Sequence, residues 1–132
     1  MAKQTAYKTA RQALLPVLVD NTRETSRLSA KLFSRFGVVS LIFGRPRLRD
    51  LFAPSSQTLR LPYDGSERLR VEALIDLAKQ SHGHLLVLIP CSAVADEWIA
   101  RHAKALEPYF LLSNPEAIFS LPLLTEDTPD LI

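Results

Sequence analysis

The chain contains one cysteine, Cys91, which directly follows an apolar run, and a histidine, His102, in the helix-like segment that comes next. A cysteine within hydrogen-bond reach of a histidine can act as a nucleophile with its general base. The spacing argues against this pair, because His102 lies about nine residues into the helix, roughly 14 Å from its start. His82 and His84 stand at the other end of the apolar run, roughly 20 Å away if that run is a strand. The sequence therefore predicts that Cys91 is a small, partly buried hydrophobic residue, with activation by a helix N-terminus alone as the open alternative.

Metal and dinucleotide binding are not indicated. The three histidines share no helical face with a carboxylate at ligand spacing, and a single cysteine excludes a cysteine-rich zinc site. The turn after the first apolar run reads VDNTRETS and lacks the glycines with which a dinucleotide fold approaches pyrophosphate. Arg45 follows the second run, where a 2′-phosphate would be bound, but without the glycine loop we do not expect NAD(P). The helix N-termini at Asn21 and Ser92 could still hold a smaller anion with the help of Arg23.

The composition is that of one globular domain. A chain of 132 residues with 47% hydrophobic content can bury a core. A single cysteine rules out an internal disulfide and fits a reducing compartment, which predicts a cytoplasmic location. The basic start MAKQTAYKTARQ is followed by no apolar h-region, and no apolar stretch approaches the roughly 20 residues that span a bilayer. We expect neither a signal peptide nor a membrane partner.

The charge is unevenly distributed, although the net charge is only +2. Residues 1–50 hold ten Lys and Arg against three Asp and Glu, whereas residues 51–132 hold six against eleven. Four of the cations recur every four residues and form a ridge on the first predicted helix, namely Arg23, Arg27, Lys31 and Arg35. Such a ridge could follow phosphates. A solvated helix face explains the spacing equally well and no recognised nucleic-acid module is present, so a nucleic-acid partner is not the favoured interpretation.

Apolar runs and helical periodicities alternate along the chain. Leu14–Val19, Val38–Phe43 and the HLLVLIP segment ending at Pro90 lack polar alternation and predict buried strands. The shorter runs Gln57–Pro62 and Tyr109–Ser113 predict an edge strand and a last strand. The first predicted helix runs from the cap Asn21, with Glu24 at capping-box spacing, to the C-cap Gly37. Further helices are predicted over Ser66–Ser81, over Ala93–Glu107 with Ser92 as cap, and in a short segment after Asn114.

The alternation predicts an α/β fold, a three-layer Rossmann-like domain with a mostly parallel sheet of about five strands in the order 3-2-1-4-5. Ligands of such sheets bind beyond the carboxyl ends of the strands, where the winding reverses. Here that point lies between the loops after the first and fourth strands. We therefore expect a ligand crevice lined by Asp20, Asn21, Thr22, Arg23, Arg45, Cys91 and Ser92.

Several phrases of the sequence, taken in order, resemble a known family. LLPVLVDN, GVVSLIFGRPR and TLRLPYDGSE are followed by HGHLLVLIPCSAVADEWIARHAKALEPYFLLSNPEAI. This series is similar to the N-terminal pre-ATP-grasp domain of ATP-grasp ligases, and is nearest to the carbamoyl-phosphate-synthase-like members. The resemblance covers residues 14–120, which leaves 1–13 as a flexible basic arm and 121–132 as a tail or the start of a linker. The turn Asp20-Asn21-Thr22 departs from relatives that carry a glycine there.

The resemblance implies a function without catalysis by this chain. Family members bind ATP and magnesium in later domains, so no cofactor is expected here unless such domains follow, and no catalytic residue transfers. By position, Asp20, Asn21, Thr22, Cys91 and Ser92 would face the carboxylate or amine substrate of an ATP-dependent ligation.

The favoured function is thus a non-catalytic α/β domain on the substrate side of an ATP-grasp carboxylate–amine ligase, as a fragment or a stand-alone protein that binds a small carboxylate or other anion. Whether the chain is an enzyme is left open, and on its own we expect no activity. One alternative is a stand-alone interaction module that forms homodimers. A second alternative is a nucleic-acid or anion binder that acts through the basic first helix.

Overall fold

The computed structural model describes residues 14–44, 56–59, 66–81 and 83–121. The described chain contains a parallel sheet with helices on both faces. Its strands are β1 (Leu14–Val19), β2 (Ser40–Phe43), β3 (Ser56–Leu59), β4 (Leu85–Pro90) and β5 (Leu111–Leu112). Its helices are α1 (Arg23–Phe36), α2 (Glu67–Gln80), α3 (Ala93–Arg101), α4 (Ala103–Leu106) and a 3-10 helix (Ala117–Ser120).

The sheet is parallel throughout, and β1 and β4 form its centre. Strands β2, β1, β4 and β5 are neighbours in that order, and β3 pairs in parallel with β2 at the outer edge, which gives β3-β2-β1-β4-β5. The β1–β4 pair is the longest, with register from Leu14↔Leu85 to Val19↔Pro90. The predicted α/β class with a parallel sheet is confirmed.

Two prolines lie in the central strands, where a missing N–H would normally break the hydrogen-bond ladder. The Asp20 N–H bonds to the Phe43 carbonyl at the end of β2. Backbone N–H groups alternate in direction along a strand, so Pro16, four residues before Asp20, also has its backbone nitrogen on the β2 side. Pairing with β2 starts only at Val17↔Leu41, and no ladder bond from Pro16 is required. Pro90 likewise faces β5, whose pairing with β4 ends at Leu88↔Leu112. Each proline therefore sits where the ladder stops.

Each face of the sheet has its own apolar core. On one face, which we call the Trp98 face, side chains of α2, α3 and α4 pack on β1, β2, β4 and β5. On the other, which we call the α1 face, α1 and the 3-10 helix pack on β1, β2 and β4. Helices on both sides explain why the central strands carry continuous apolar runs.

The first helix begins one residue later than the sequence predicts. Thr22, not Asn21, is the N-cap, and Thr25, not Glu24, completes the capping box. The reason is the backbone of Asp20, whose positive φ of 77° turns the chain so that Thr22 reaches the extended cap conformation. The predicted C-cap Gly37 is confirmed, with a left-handed φ of 69°.

Two later elements are shorter than predicted. The helix expected over Ala93–Glu107 breaks at His102, whose N–H bonds to the Ile99 carbonyl, and continues as the single turn α4. The last strand keeps only Leu111 and Leu112 of the predicted Tyr109–Ser113.

The predicted arm 1–13, the connector carrying Arg45 and residues 122–132 of the predicted tail lie outside the described residues. Within the described part of the chain, no helix combines the length and apolarity needed to cross a membrane.

Candidate ligand crevice

The carboxyl ends of β1 and β4 are adjacent, and a helix starts directly after each of them. The Cys91 N–H bonds to the Val19 carbonyl at 2.9 Å, so the two strands stay paired up to their last residues. α1 then starts at Arg23 and α3 at Ala93, which brings two helix N-termini to one edge of the sheet. This is the point at which the strand order reverses, where ligands of open parallel sheets bind.

Asp20 links the two loops at this edge. It is the only non-glycine residue with a positive φ in the described chain, and aspartate is among the few residue types that tolerate this conformation. Its carboxylate accepts a hydrogen bond from the Ser92 hydroxyl, which in turn accepts one from the Ala95 N–H at 3.0 Å. Ser92 therefore caps α3, and its hydroxyl also links the start of that helix to the loop after β1.

Two threonines fix the start of α1 and tie it to the opposite loop. The Thr22 N–H bonds to the Thr25 hydroxyl at 3.0 Å, and the Thr25 N–H bonds back to the Thr22 hydroxyl at 3.3 Å. The Thr25 hydroxyl donates to the Asp20 carbonyl at 2.6 Å, and the Thr22 hydroxyl donates to the Cys91 carbonyl at 3.3 Å. The loops after β1 and β4 are thus joined by side-chain hydrogen bonds.

Gly44, directly after β2, allows the first loop to lie against the neighbouring strand end. A Cβ at this position would stand 2.8 Å from the Asn21 amide nitrogen and 3.1 Å from its Cβ. Because the closest of these atoms belongs to the backbone, a larger residue would push the Asn21 turn away. Gly44 therefore helps to set the position of the crevice.

The helix N-termini keep backbone donors for a ligand. The Thr22 and Ser92 hydroxyls accept hydrogen bonds from the N–H groups of Thr25 and Ala95, the third residues of α1 and α3. The N–H groups of the first two residues of each helix find no acceptor among the described residues. These groups belong to Arg23 and Glu24 and to Ala93 and Val94, all of which are exposed. Four N–H donors therefore lie at the crevice.

The charges at the crevice are mixed. Helix N-termini and Arg23 favour an anion. The carboxylates of Asp20 and Glu24 oppose one, and both raise the pKa of the nearby Cys91 thiol. A ligand with one carboxylate and one cationic or hydrogen-bond donor group would complement both the positive and the negative groups of this site better than a phosphate would.

Cys91 contributes its backbone, not its thiol, to the crevice. Its side chain is buried in the core of the α1 face, and its Sγ lies 3.7 Å from the Ile89 carbonyl oxygen. Burial raises the pKa of the thiol to about 11, so it is protonated at neutral pH. This agrees with the prediction of a buried small hydrophobic residue and speaks against a nucleophile.

His102 lies at a different place and has a different partner. Its Nε2 is 3.0 Å from the Glu67 carboxylate, and the same carboxylate binds the Arg101 guanidinium. This cluster joins the first turn of α2 to the break between α3 and α4. Hydrogen bonds from Arg101 and His102 hold the pKa of Glu67 below its usual range. The histidine therefore has a structural role in the helix pair.

The structure brings together six of the seven predicted crevice residues: Asp20, Asn21, Thr22, Arg23, Cys91 and Ser92. Arg45 lies outside the described residues. Sequence reasoning missed Thr25 and Gly44. The Thr-x-x-Thr spacing could have indicated Thr25, whereas the close approach at Gly44 depends on the register of β2.

Comparison with known proteins adds no relative. No protein-family model, no curated protein and no solved structure matches the chain. Within residues 14–121, apart from the gaps named above, no group of three or more His, Cys, Asp or Glu side chains could hold a metal ion. The described residues form an α/β domain with a parallel sheet.

Proposed function

We propose that this chain is a non-catalytic α/β domain that binds a small carboxylate at the crevice between β1 and β4. The observation that carries the proposal is the convergence of two helix N-termini, each with two N–H groups that bond to no described residue. A carboxylate oxygen accepts such bonds, and the positive ends of the helix dipoles favour its charge. Asp20 and Glu24 would receive an amino group on the same ligand, so the favoured ligand class is an amino acid.

The resemblance to pre-ATP-grasp domains supports a more specific form of the proposal. In that form the chain is the substrate-side domain of an ATP-dependent carboxylate–amine ligase, and the amino acid is the substrate it helps to bind. ATP and magnesium would belong to further domains. Sequencing of the gene beyond the codon of Ile132 tests this form, because a reading frame that continues into ATP-binding domains supports it and an immediate stop codon overturns it.

The binding proposal is tested by NMR titration of the ¹⁵N-labelled chain with glycine, glutamate, acetate and phosphate. We expect saturable shifts of the amides of Arg23, Glu24 and Val94, largest with an amino acid. Replacing Ala93 by proline removes one donor at the first helical position, where proline is well tolerated. Ser92 has the extended backbone (φ −152°, ψ 160°) that a following proline requires.

Ala93→Gly is the matched control, because it alters the same position and keeps the N–H group. A hydrogen bond to a charged group contributes about 1.5–3 kcal/mol, so Ala93→Pro should weaken binding about tenfold or more relative to Ala93→Gly. Equal affinities in the two variants, or no saturable shift with any of the four ligands, would contradict the proposal.

A further inference from the structure

The solvent face of α1 carries an array of cations. Arg23, Arg27, Lys31 and Arg35 are all exposed and follow one another at four-residue intervals. At about 1.5 Å of rise per residue the steps are about 6 Å and the array is about 18 Å long. Glu24 is the only acidic residue of the helix. We call these four residues the basic ridge.

Two arginines of the other helices form ion pairs, whereas no ridge residue pairs with a carboxylate of the described residues. Arg68 pairs with Glu72 at 3.0 Å within α2, and Arg101 of α3 pairs with Glu67 of α2. None of the four ridge residues forms an ion pair with any residue that the structure describes. The excess of positive charge on α1 is therefore presented to solvent.

The position of Arg23 makes the array unfavourable for the helix itself. Arg23 is the first residue of α1, where the helix dipole is positive and a cation is disfavoured. Asp or Glu at this position would stabilise the helix through its dipole. Arg23 thus opposes the helix dipole and bonds to no carboxylate of the described residues, so helix stability does not explain a cation at this position.

The far end of the ridge is held in place by aromatic rings. The Lys31 ammonium lies 5.5 Å and the Arg35 guanidinium 5.4 Å from the centre of the Phe119 ring in the 3-10 helix. Arg35 also lies 5.3 Å from the centre of the Phe36 ring. Such contacts orient a cation without cancelling its charge. The four charges consequently form one continuous, partly ordered row.

We propose that the basic ridge of α1 binds the phosphate backbone of a nucleic acid. The row of about 18 Å matches about five nucleotides of one strand at about 3.4 Å each. A membrane surface is disfavoured because amphipathic membrane helices need a free apolar face. The apolar face of α1, with Leu28 and Leu32, is buried against the sheet. Arg23 belongs both to this surface and to the crevice, whereas Arg27, Lys31 and Arg35 lie farther along α1 and belong to the ridge alone.

The test is fluorescence anisotropy of a labelled 20-nucleotide poly-dT with the full chain at several salt concentrations from 20 mM upward. Four phosphate contacts predict a slope of log K against log salt of about −2.8 for a single strand. The double variant Arg23→Gln, Arg27→Gln should reduce the magnitude of that slope by about 1.4 and weaken binding at 20 mM salt more than 100-fold.

Arg68→Gln with Lys79→Gln is the matched control, because it removes the same charge from the exposed surface of α2. The control should keep the slope and lose less than fivefold in affinity. Circular dichroism should show that the ridge variant melts no lower than the natural chain, since Gln replaces a cation at a helix N-terminus. That result separates a binding role from a structural one.

Three results would overturn the proposal. The first is no salt-dependent binding of the oligonucleotide at 20 mM salt. The second is an equal loss in the ridge variant and the α2 control, which would leave net charge as the only cause. The third is binding of poly-glutamate or of phosphatidylserine vesicles as tight as binding of the oligonucleotide, which would make the ridge a site for acidic protein or lipid.

Discussion

The two faces of the sheet are both covered by helices, but they differ in their buried polar side chains and in their surface charges. The buried cluster of the Trp98 face consists of apolar side chains, with the single tryptophan of the chain, 1% exposed, among them. The three buried polar side chains of the described residues, Thr25, Ser29 and Ser40, all belong to α1 or to the side of β2 that faces it. At the surface, ion pairs lie over the Trp98 face, whereas the cations of α1 pair with no carboxylate of the described residues.

The difference indicates that substitutions on the two faces should have different consequences. Burial of large apolar side chains stabilises a fold more than any other local interaction. Buried hydroxyls and unpaired cations contribute little unless they have a positioning or binding role. We therefore expect substitutions on the Trp98 face to affect mainly stability, and substitutions on the solvent side of α1 to affect mainly binding.

The largest effect is expected for Trp98→Ala. Removal of a buried tryptophan costs about 3–5 kcal/mol in the free energy of unfolding. The matched substitution on the α1 face is Leu32→Ala, for which we expect about 3 kcal/mol. Guanidinium denaturation followed by circular dichroism measures both, because the tryptophan variant loses the only tryptophan fluorophore. A loss below 1 kcal/mol for Trp98→Ala would contradict the central role of this side chain.

The next effect concerns the buried hydroxyls of the α1 face. Thr25→Val keeps the shape of the side chain but removes the partner of the Thr22 N–H and of the Asp20 carbonyl, so we expect a loss of about 2 kcal/mol. Ser40→Ala is the control, because the Ser40 hydroxyl has no hydrogen-bond partner among the described residues. It should change the free energy of unfolding by less than about 0.5 kcal/mol. Equal losses in the two variants would show that burial alone, not hydrogen bonding, decides the cost.

A smaller effect is expected where the ridge meets the 3-10 helix. Phe119→Leu keeps an apolar side chain but removes the ring beneath Lys31 and Arg35 and the contact with Phe36, whose ring centre lies 6.2 Å away. We expect a loss of about 1 kcal/mol. Amide hydrogen exchange of Phe119 and Leu121 should become faster, while exchange in β4 should stay unchanged. Unchanged exchange at the 3-10 helix would show that the ring contacts do not hold it.

The smallest effect is expected for Glu67→Gln on the surface of the Trp98 face. The pKa of Glu67 is lowered in the folded chain, so its contribution is fully present above the usual pKa of 4.5 and is lost as the pH falls through the folded value. The melting temperatures of the two proteins should differ by about 1–3 °C at pH 6, and the difference should shrink as the pH falls below 4.5. A difference that does not shrink as the pH is lowered would contradict a role for the charge.

Much of the fold could be read from the sequence because it depends on local patterns. The apolar runs of β1, β2 and β4 indicated buried strands, and Gly37, Ser66 and Ser92 marked helix ends by their residue types. The proximity of the loops after β1 and β4 followed from the alternation of strands and helices, because parallel strands end at one edge. The cap of α1 was predicted at Asn21 instead of Thr22, because the positive φ of Asp20 has no unique signature in the sequence.

Other features depended on contacts between distant segments. The break at His102 accompanies a bond to Glu67, which is 35 residues away in the chain. The bonds of Ser92 to the Asp20 carboxylate and of Thr22 to the Cys91 carbonyl span 72 and 69 residues. No local pattern encodes such pairs, because they form only when the β1–β4 register is set.

The sequence by itself determined the α/β class and the burial of the central strands. It did so because hydrophobic periodicity is a property of short segments. Only the tertiary structure decided that Asp20, Thr22 and Ser92 join the two loops, and that Arg68 and Arg101 have carboxylate partners while the cations of α1 have none among the described residues. Charge neutralisation and hydrogen bonding act over a few ångströms, so they depend on which distant residues the fold places side by side.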